Sequence, residues 1–71
     1  MNQEVFLKKL GENIRKTRVS KGMTQVELGD LCNFEKSSIN RIESGRTNPT
    51  ALTLKVIAEC LQVNVSTFFE I

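Results

Sequence analysis

The feature that most constrains this chain is the run Thr24-Gln25-Val26-Glu27-Leu28-Gly29, followed after a short break by Ser37-Ser38-Ile39-Asn40-Arg41-Ile42-Glu43-Ser44-Gly45. Thr24 with Glu27 three residues on is a capping box, in which each side chain accepts the other residue's free backbone N–H. A helix is therefore expected to open at Thr24, with Leu28, Leu31 and Cys32 as its inner face. Gly29 inside that helix costs about 1 kcal/mol relative to Ala. The expected reason is close approach of the next helix. Asn33 tolerates the left-handed backbone that ends a helix, and Phe34 would plug the corner. The next helix is expected from about Glu35 to Ser44, stopped by Gly45.

At about 100° per residue, Ile39, Ile42 and Glu43 group on one side of that second helix, and Lys36, Ser37, Asn40, Arg41 and Ser44 on the other. The first side is core with one carboxylate in it; the second carries only hydrogen-bonding side chains. A matching oddity lies upstream. Phe6, Leu10 and Ile14 form an i+4 stripe on a helix expected from about Gln3 to Lys21, and the next position of the stripe is Arg18. An unpaired buried charge is costly, and Arg favours two-pronged pairing with carboxylate. The expectation is an Arg18–Glu43 ion pair tying the first helix to the end of the third.

Pro49 punctuates the loop Arg46-Thr47-Asn48-Pro49. Thr50 is placed to cap a fourth helix, in which Leu54, Ile57, Ala58 and Leu61 follow the helical spacing. After Gln62-Val63-Asn64-Val65, Ser66 is expected to cap a last short helix reaching Ile71. Five helices without a strand pattern make a compact all-α domain. The 71 residues suit one domain, 1–71, with no catalytic or ligand-sensing domain beside it.

Composition removes several function classes. The chain has no His, Trp or Tyr, no catalytic cysteine setting and no paired-carboxylate cleft, so an enzyme is not expected. Cys32 and Cys60 lack metal-site spacing, and each falls in an apolar helical pattern where a free Cys acts as a small hydrophobe. No metal, cofactor or small-molecule effector is expected. No run is long enough to span a bilayer, and the charged start Met1–Lys9 is not a signal peptide; a cytoplasmic location follows as an expectation. The net charge is only +2, but residues 1–49 hold nine Lys/Arg against six Asp/Glu, and residues 50–71 one against two. The basic excess thus accompanies the two tightly joined helices.

Such a helix pair, with a polar and cationic outward face on its second member, is the usual way a small domain offers a helix to the DNA major groove. The chain resembles the Cro/C1-type (xenobiotic-response-element) helix-turn-helix family, which includes phage repressors and restriction–modification controller proteins. The resemblance is carried by Ile14-Arg15-Lys16-Thr17-Arg18, Gly22-Met23-Thr24-Gln25-Val26-Glu27-Leu28 and Ser38-Ile39-Asn40-Arg41-Ile42-Glu43-Ser44-Gly45. It continues through Arg46-Thr47-Asn48-Pro49-Thr50 and Leu61-Gln62-Val63-Asn64-Val65-Ser66. It implies a lambda-repressor-like five-helix domain, often a homodimer, with the helix-turn-helix over about 24–44 and the third helix reading DNA. It also implies a phosphate contact for Gln25, base contacts for Lys36, Ser37 and Arg41, backbone contacts for Arg46 and Asn48, and the Arg18–Glu43 pair. Gly29 stands where Ala is usual and Asn33 where Gly is usual.

Side-chain chemistry sorts the same residues. Arg41 is suited to guanine O6 and N7 through two parallel bonds, Lys36 to guanine or phosphate, and Ser37 and Asn40 to shorter base contacts. Gln25, Ser38, Arg46 and Asn48 are suited to positioning on phosphates. A single helix reads few base pairs, so a two-fold homodimer on a pseudo-palindromic double-stranded operator is expected. Phe68 and Ile71 are the expected dimer contacts, and Phe69 the expected core residue. The leading function is a sequence-specific transcriptional regulator. The alternative is an antitoxin or a protein-interaction module on the same scaffold.

Overall fold

The computed structural model describes all residues, 1–71, as four α-helices and a closing 3-10 turn: α1 (Gln3–Ser20), α2 (Gln25–Cys32), α3 (Lys36–Glu43), α4 (Ala51–Leu61) and the turn Val65–Phe69. There is no strand. Packing joins α1 to α3 and to the 3-10 turn, α2 to α3 and α4, and α4 to the turn. The core lies between them, with Ile14, Leu28, Ile39, Ile57, Leu61 and Phe68 as its largest fully buried side chains.

Local signals start and stop most of these elements. Asn2 accepts from the Val5 backbone N–H at 2.8 Å to open α1. Thr24 and Glu27 complete the capping box at the start of α2, with contacts of 2.8 and 3.1 Å. Thr50 accepts from Thr53 N–H at 3.1 Å to open α4. Asn33 ends α2 in the left-handed conformation, with φ at 63°. Its backbone leads into Phe34, which packs against the core as the corner residue.

Two close approaches bring the helices together. A Cβ on Gly29 would stand 2.6 Å from the Phe34 carbonyl oxygen. The crowding neighbour is therefore the turn into α3, whose Phe34 N–H also bonds the Gly29 carbonyl at 2.8 Å, and not α3 itself. The second approach involves Gly11, where a Cβ would collide with the carbonyls of Ile42 and Glu43. The crossing of α1 over the end of α3 depends on that missing side chain.

Several expectations are corrected. Leu31 is 59% exposed and does not belong to the inner face of α2. That face is centred among Leu28, Gly29 and Cys32, and Leu31 points about 60° to the far side of Leu28. Phe6 stands at the margin of the α1 stripe, exposed at the edge of the domain, and its ring meets Phe69 with centroids 6.2 Å apart. The largest correction is at the chain's end. Phe68 is fully buried and Phe69 is 44% exposed, the reverse of the expected assignment, so Phe68 is core and cannot be a dimer contact. The reason is the start of the last element. Asn64, not Ser66, occupies its N-terminal flank, and neither caps it with a side chain. The element stops at Phe69 instead of reaching Ile71. Asn13 of α1 then donates to the carbonyls of Phe68 and Glu70, both at 3.1 Å, which pins the turn with Phe68 inward.

Cys32 is buried and Cys60 half-buried; both are free thiols. Burial, with the neighbouring Cys60 thiol adding to the shift, pushes the Cys32 thiol up to about 12. It stays protonated at neutral pH and behaves as packing.

Candidate nucleic-acid interface

The expected Arg18–Glu43 pair is present and buried. Arg18 Nε donates to Glu43 Oε2 at 2.7 Å and Nη2 to Oε1 at 3.0 Å, the two-pronged geometry that a guanidinium and a carboxylate favour. Arg18 Nη1 donates to the Met23 carbonyl at 2.7 Å, so the same side chain also holds the α1–α2 connection. Hydrogen bonding to Glu43 outweighs burial and raises the Arg18 pKa above its ordinary value. No buried side-chain nitrogen or oxygen lacks a partner. That completeness matters, because a buried ion pair is tolerable only when its remaining polar atoms are also satisfied.

A third helix joins the pair. Gln25, at the first position of α2, donates its Nε2 to Glu43 Oε1 at 3.0 Å. Its Oε1 accepts from Asn40 Nδ2 at 3.4 Å. Asn40 Oδ1 in turn accepts from Arg46 Nη2 at 2.6 Å, and Arg46 Nε donates to Ser44 Oγ at 2.8 Å. A continuous polar chain thus runs from the core, through the start of α2, onto the outward side of α3. Sequence spacing gave no sign of it, since its links span intervals of 6, 15 and 18 residues.

That outward side is polar throughout. Lys36, Ser37, Asn40, Arg41 and Arg46 line one shallow concavity with no hydrophobic residue in it. Arg46, expected beyond the third helix, folds back to join its face. This follows from the backbone, where Arg46 N–H bonds the Arg41 carbonyl at 3.0 Å as the chain curls over Gly45. Ser38 is half-buried on the flank and accepts a long 3.5 Å contact from Arg41 Nη2, which leaves most of the Arg41 guanidinium open. Ser37 donates to Glu35 at 3.5 Å. Asn48 is exposed and lines a neighbouring groove with Ser38, Arg41, Thr47 and Thr50. Gln25 is half-buried, and its amide retains one N–H beyond the one given to Glu43. Every residue expected on the DNA side except Gln25 and Ser38 is exposed.

A second surface is different in kind. Phe6, Val65, Phe69 and Ile71 are exposed apolar side chains, with the Phe6–Phe69 ring contact among them. No group of His, Cys, Asp and Glu is arranged to hold a metal. No helix is long and apolar enough to cross a membrane.

Comparison with known proteins agrees with this geometry. A helix-turn-helix family model, HTH_3, matches residues 14–68. The chain is 37% identical over 57 residues to the HTH-type transcriptional regulator y4dJ of Sinorhizobium fredii, covering 80% of this chain and 74% of that one. It is 35% identical over 57 residues to the immunity repressor protein of Bacillus phage phi105, covering 80% of this chain but only 40% of the repressor. Among solved structures, the restriction–modification controller protein C.AhdI of Aeromonas hydrophila superposes with a TM-score of 0.86 at 27% identity, over 89% of this chain and 96% of the controller. Capped α2, the left-handed Asn33 turn, the cationic face of α3 and these likenesses lead to one conclusion: this chain belongs to the Cro/C1-type helix-turn-helix family of DNA-binding transcriptional regulators, which are not enzymes.

Proposed function

We propose that this protein acts in the cytoplasm as a homodimeric, sequence-specific regulator that lays α3 in the major groove of a pseudo-palindromic operator. The observation that carries this reading is the cationic concavity on α3, formed by Lys36, Ser37, Asn40, Arg41 and Arg46 and backed by the buried Arg18–Glu43 pair. A helix that presents free donors, such as Lys36 and most of the Arg41 guanidinium, is what major-groove reading requires. Arg41 discriminates guanine, with Lys36 and Ser37 reaching neighbouring base edges. Gln25, Ser38, Arg46 and Asn48 take phosphates, Gln25 through its remaining amide hydrogen.

Dimerisation supplies the second half-site. The exposed apolar surface around the Phe6–Phe69 ring contact supports it, with Phe69 and Ile71 as contacts and Phe6 beside them. Phe69 here replaces Phe68, which the core consumes.

Selection of bound sequences from a random DNA pool tests the reading. It should yield a two-fold symmetric site with half-sites about one helical turn apart. On that site Arg41→Ala should cost about 1–3 kcal/mol and relax preference at one base pair per half-site. Arg46→Ala should weaken all sequences alike and lower the salt slope by about one per contact. Phe69→Asp should shift sedimentation toward monomer with helicity intact. Equal losses for both arginine variants on operator and random DNA would remove base reading by Arg41.

A further inference from the structure

Asn40 occupies the centre of the recognition face, yet its amide is already engaged at both ends. Its Oδ1 accepts from Arg46 at 2.6 Å, and its Nδ2 donates to Gln25 at 3.4 Å. An Asn that reads adenine needs both ends of its amide, one for N6 and one for N7. Here those ends face a neighbouring guanidinium and a neighbouring amide instead. Arg46 has the opposite problem. It stands in the loop after α3, on a long flexible side chain with no carboxylate partner, and only Asn40 and Ser44 hold it. Ser44 is itself fixed, since its hydroxyl donates to the Arg41 carbonyl at 3.1 Å. Gln25 is anchored on Glu43, the buried end of the ion pair.

We propose that Asn40 is a positioning residue: it holds the Arg46 guanidinium against α3 and links it through Gln25 to the buried Arg18–Glu43 pair. Base discrimination then falls to Lys36, Ser37 and Arg41. Arg46 meets the phosphate backbone already ordered, so its rotamer entropy is lost in folding and not again on DNA. The core pair and the DNA face become one connected unit, in which the first residue of α2 is the link. This inference rests on the DNA-binding reading for its consequence, and on the free protein alone for its geometry.

Two measurements separate those layers. In the free protein, the Arg46 side-chain N–H signals should show slowed exchange and restricted rotation by NMR. Asn40→Ala should abolish this, and Asn40→Asp, which keeps an acceptor for Arg46, should preserve it. Signals of a freely rotating Arg46 in the unmutated protein would overturn the proposal, whether or not DNA is bound. On selected operator DNA, Asn40→Ala should weaken binding about 3- to 10-fold, the cost of ordering one long side chain, with base preference unchanged. The double variant with Arg46→Ala should lose no more than Arg46→Ala alone. Multiplying losses, or a relaxed preference at one base pair in Asn40→Ala, would make Asn40 a base reader and overturn the proposal. Failure of the unmutated protein to select any sequence would instead remove the DNA-binding reading and leave the NMR result to decide the placement.

Discussion

The helix-turn-helix, residues 24–44, and the chain's end, residues 62–71, reach their structures by different routes. In the first, the instructions are local. Thr24 and Glu27 start α2, and Asn33 turns the chain. In the second, local instruction is nearly absent. The 3-10 turn has no side-chain cap at its start, and what fixes it is a buried ring and two hydrogen bonds from Asn13, more than 50 residues away in sequence. The contrast suits the two tasks proposed for these regions. A helix proposed to read DNA has to keep its side chains in a fixed array; α3 has no side-chain cap of its own, and the capped α2 together with the buried contacts of Glu43 hold it. A packing surface needs only apolar area in the right place, and an unspecific apolar segment supplies it.

The largest expected effect breaks the second region. Phe68→Ala empties the site of a fully buried ring and should cost about 4 kcal/mol. In a domain of this size each kcal/mol moves the midpoint by roughly 4–8 °C, so thermal unfolding by circular dichroism should show a drop of tens of degrees or no transition. Phe69→Ala, one residue on, should change stability by less than a quarter of that. Similar losses for the two variants would mean that the rings share the core, against the burial difference described.

Next in size is the ion pair behind the first region. Glu43→Ala strands the Arg18 guanidinium and removes the anchor of Gln25; the expected loss is about 3 kcal/mol. Chemical denaturation should show a lower midpoint, and amide exchange should speed up in α1 and α3 together. An unshifted midpoint would show that solvent, not burial, satisfies the pair.

The smallest effect is a pH dependence. The Thr24 backbone N–H lowers the Glu27 pKa from its ordinary 4.5, with the Thr24 side chain adding to it. Because the folded state holds this carboxylate below its unfolded value, its contribution to stability is complete above pH 4.5. It is lost as pH falls through the lowered folded pKa. Glu27→Gln keeps an acceptor for Thr24 but cannot titrate, so its stability should vary less steeply than that of the unmutated protein across that acidic window. Parallel curves would show that the capping carboxylate contributes nothing through its charge.

Much of the fold was legible because its signals are short-range or periodic. Capping residues act within three positions of themselves, and the stripes Leu10–Ile14–Arg18 and Leu54–Ile57–Ala58–Leu61 mark buried faces by spacing alone. The ion pair was legible for a related reason. Two charges on inward faces have few ways to be satisfied, and each implies the other. The outward polar face of α3 was legible as a set, since helical geometry groups Lys36, Ser37, Asn40 and Arg41. The polar chain among Gln25, Asn40 and Arg46 was not. It depends on where the start of α2 and the loop after α3 lie relative to one another, and no periodicity within one helix contains that distance.

By itself the sequence determined the helix boundaries around the turn, the apolar faces of α1 and α4, and the inward pairing of Arg18 with Glu43. Those follow from backbone donors that need caps, from periodicity, and from the cost of an unpaired buried charge. Only the tertiary structure decided which of two adjacent phenylalanines enters the core. In a short apolar segment both rings gain by burial, and nothing local tells them apart. The choice is made by the space between α1 and α4 and by Asn13, which fixes the turn so that Phe68 fills it and Phe69 is left on the surface beside Phe6.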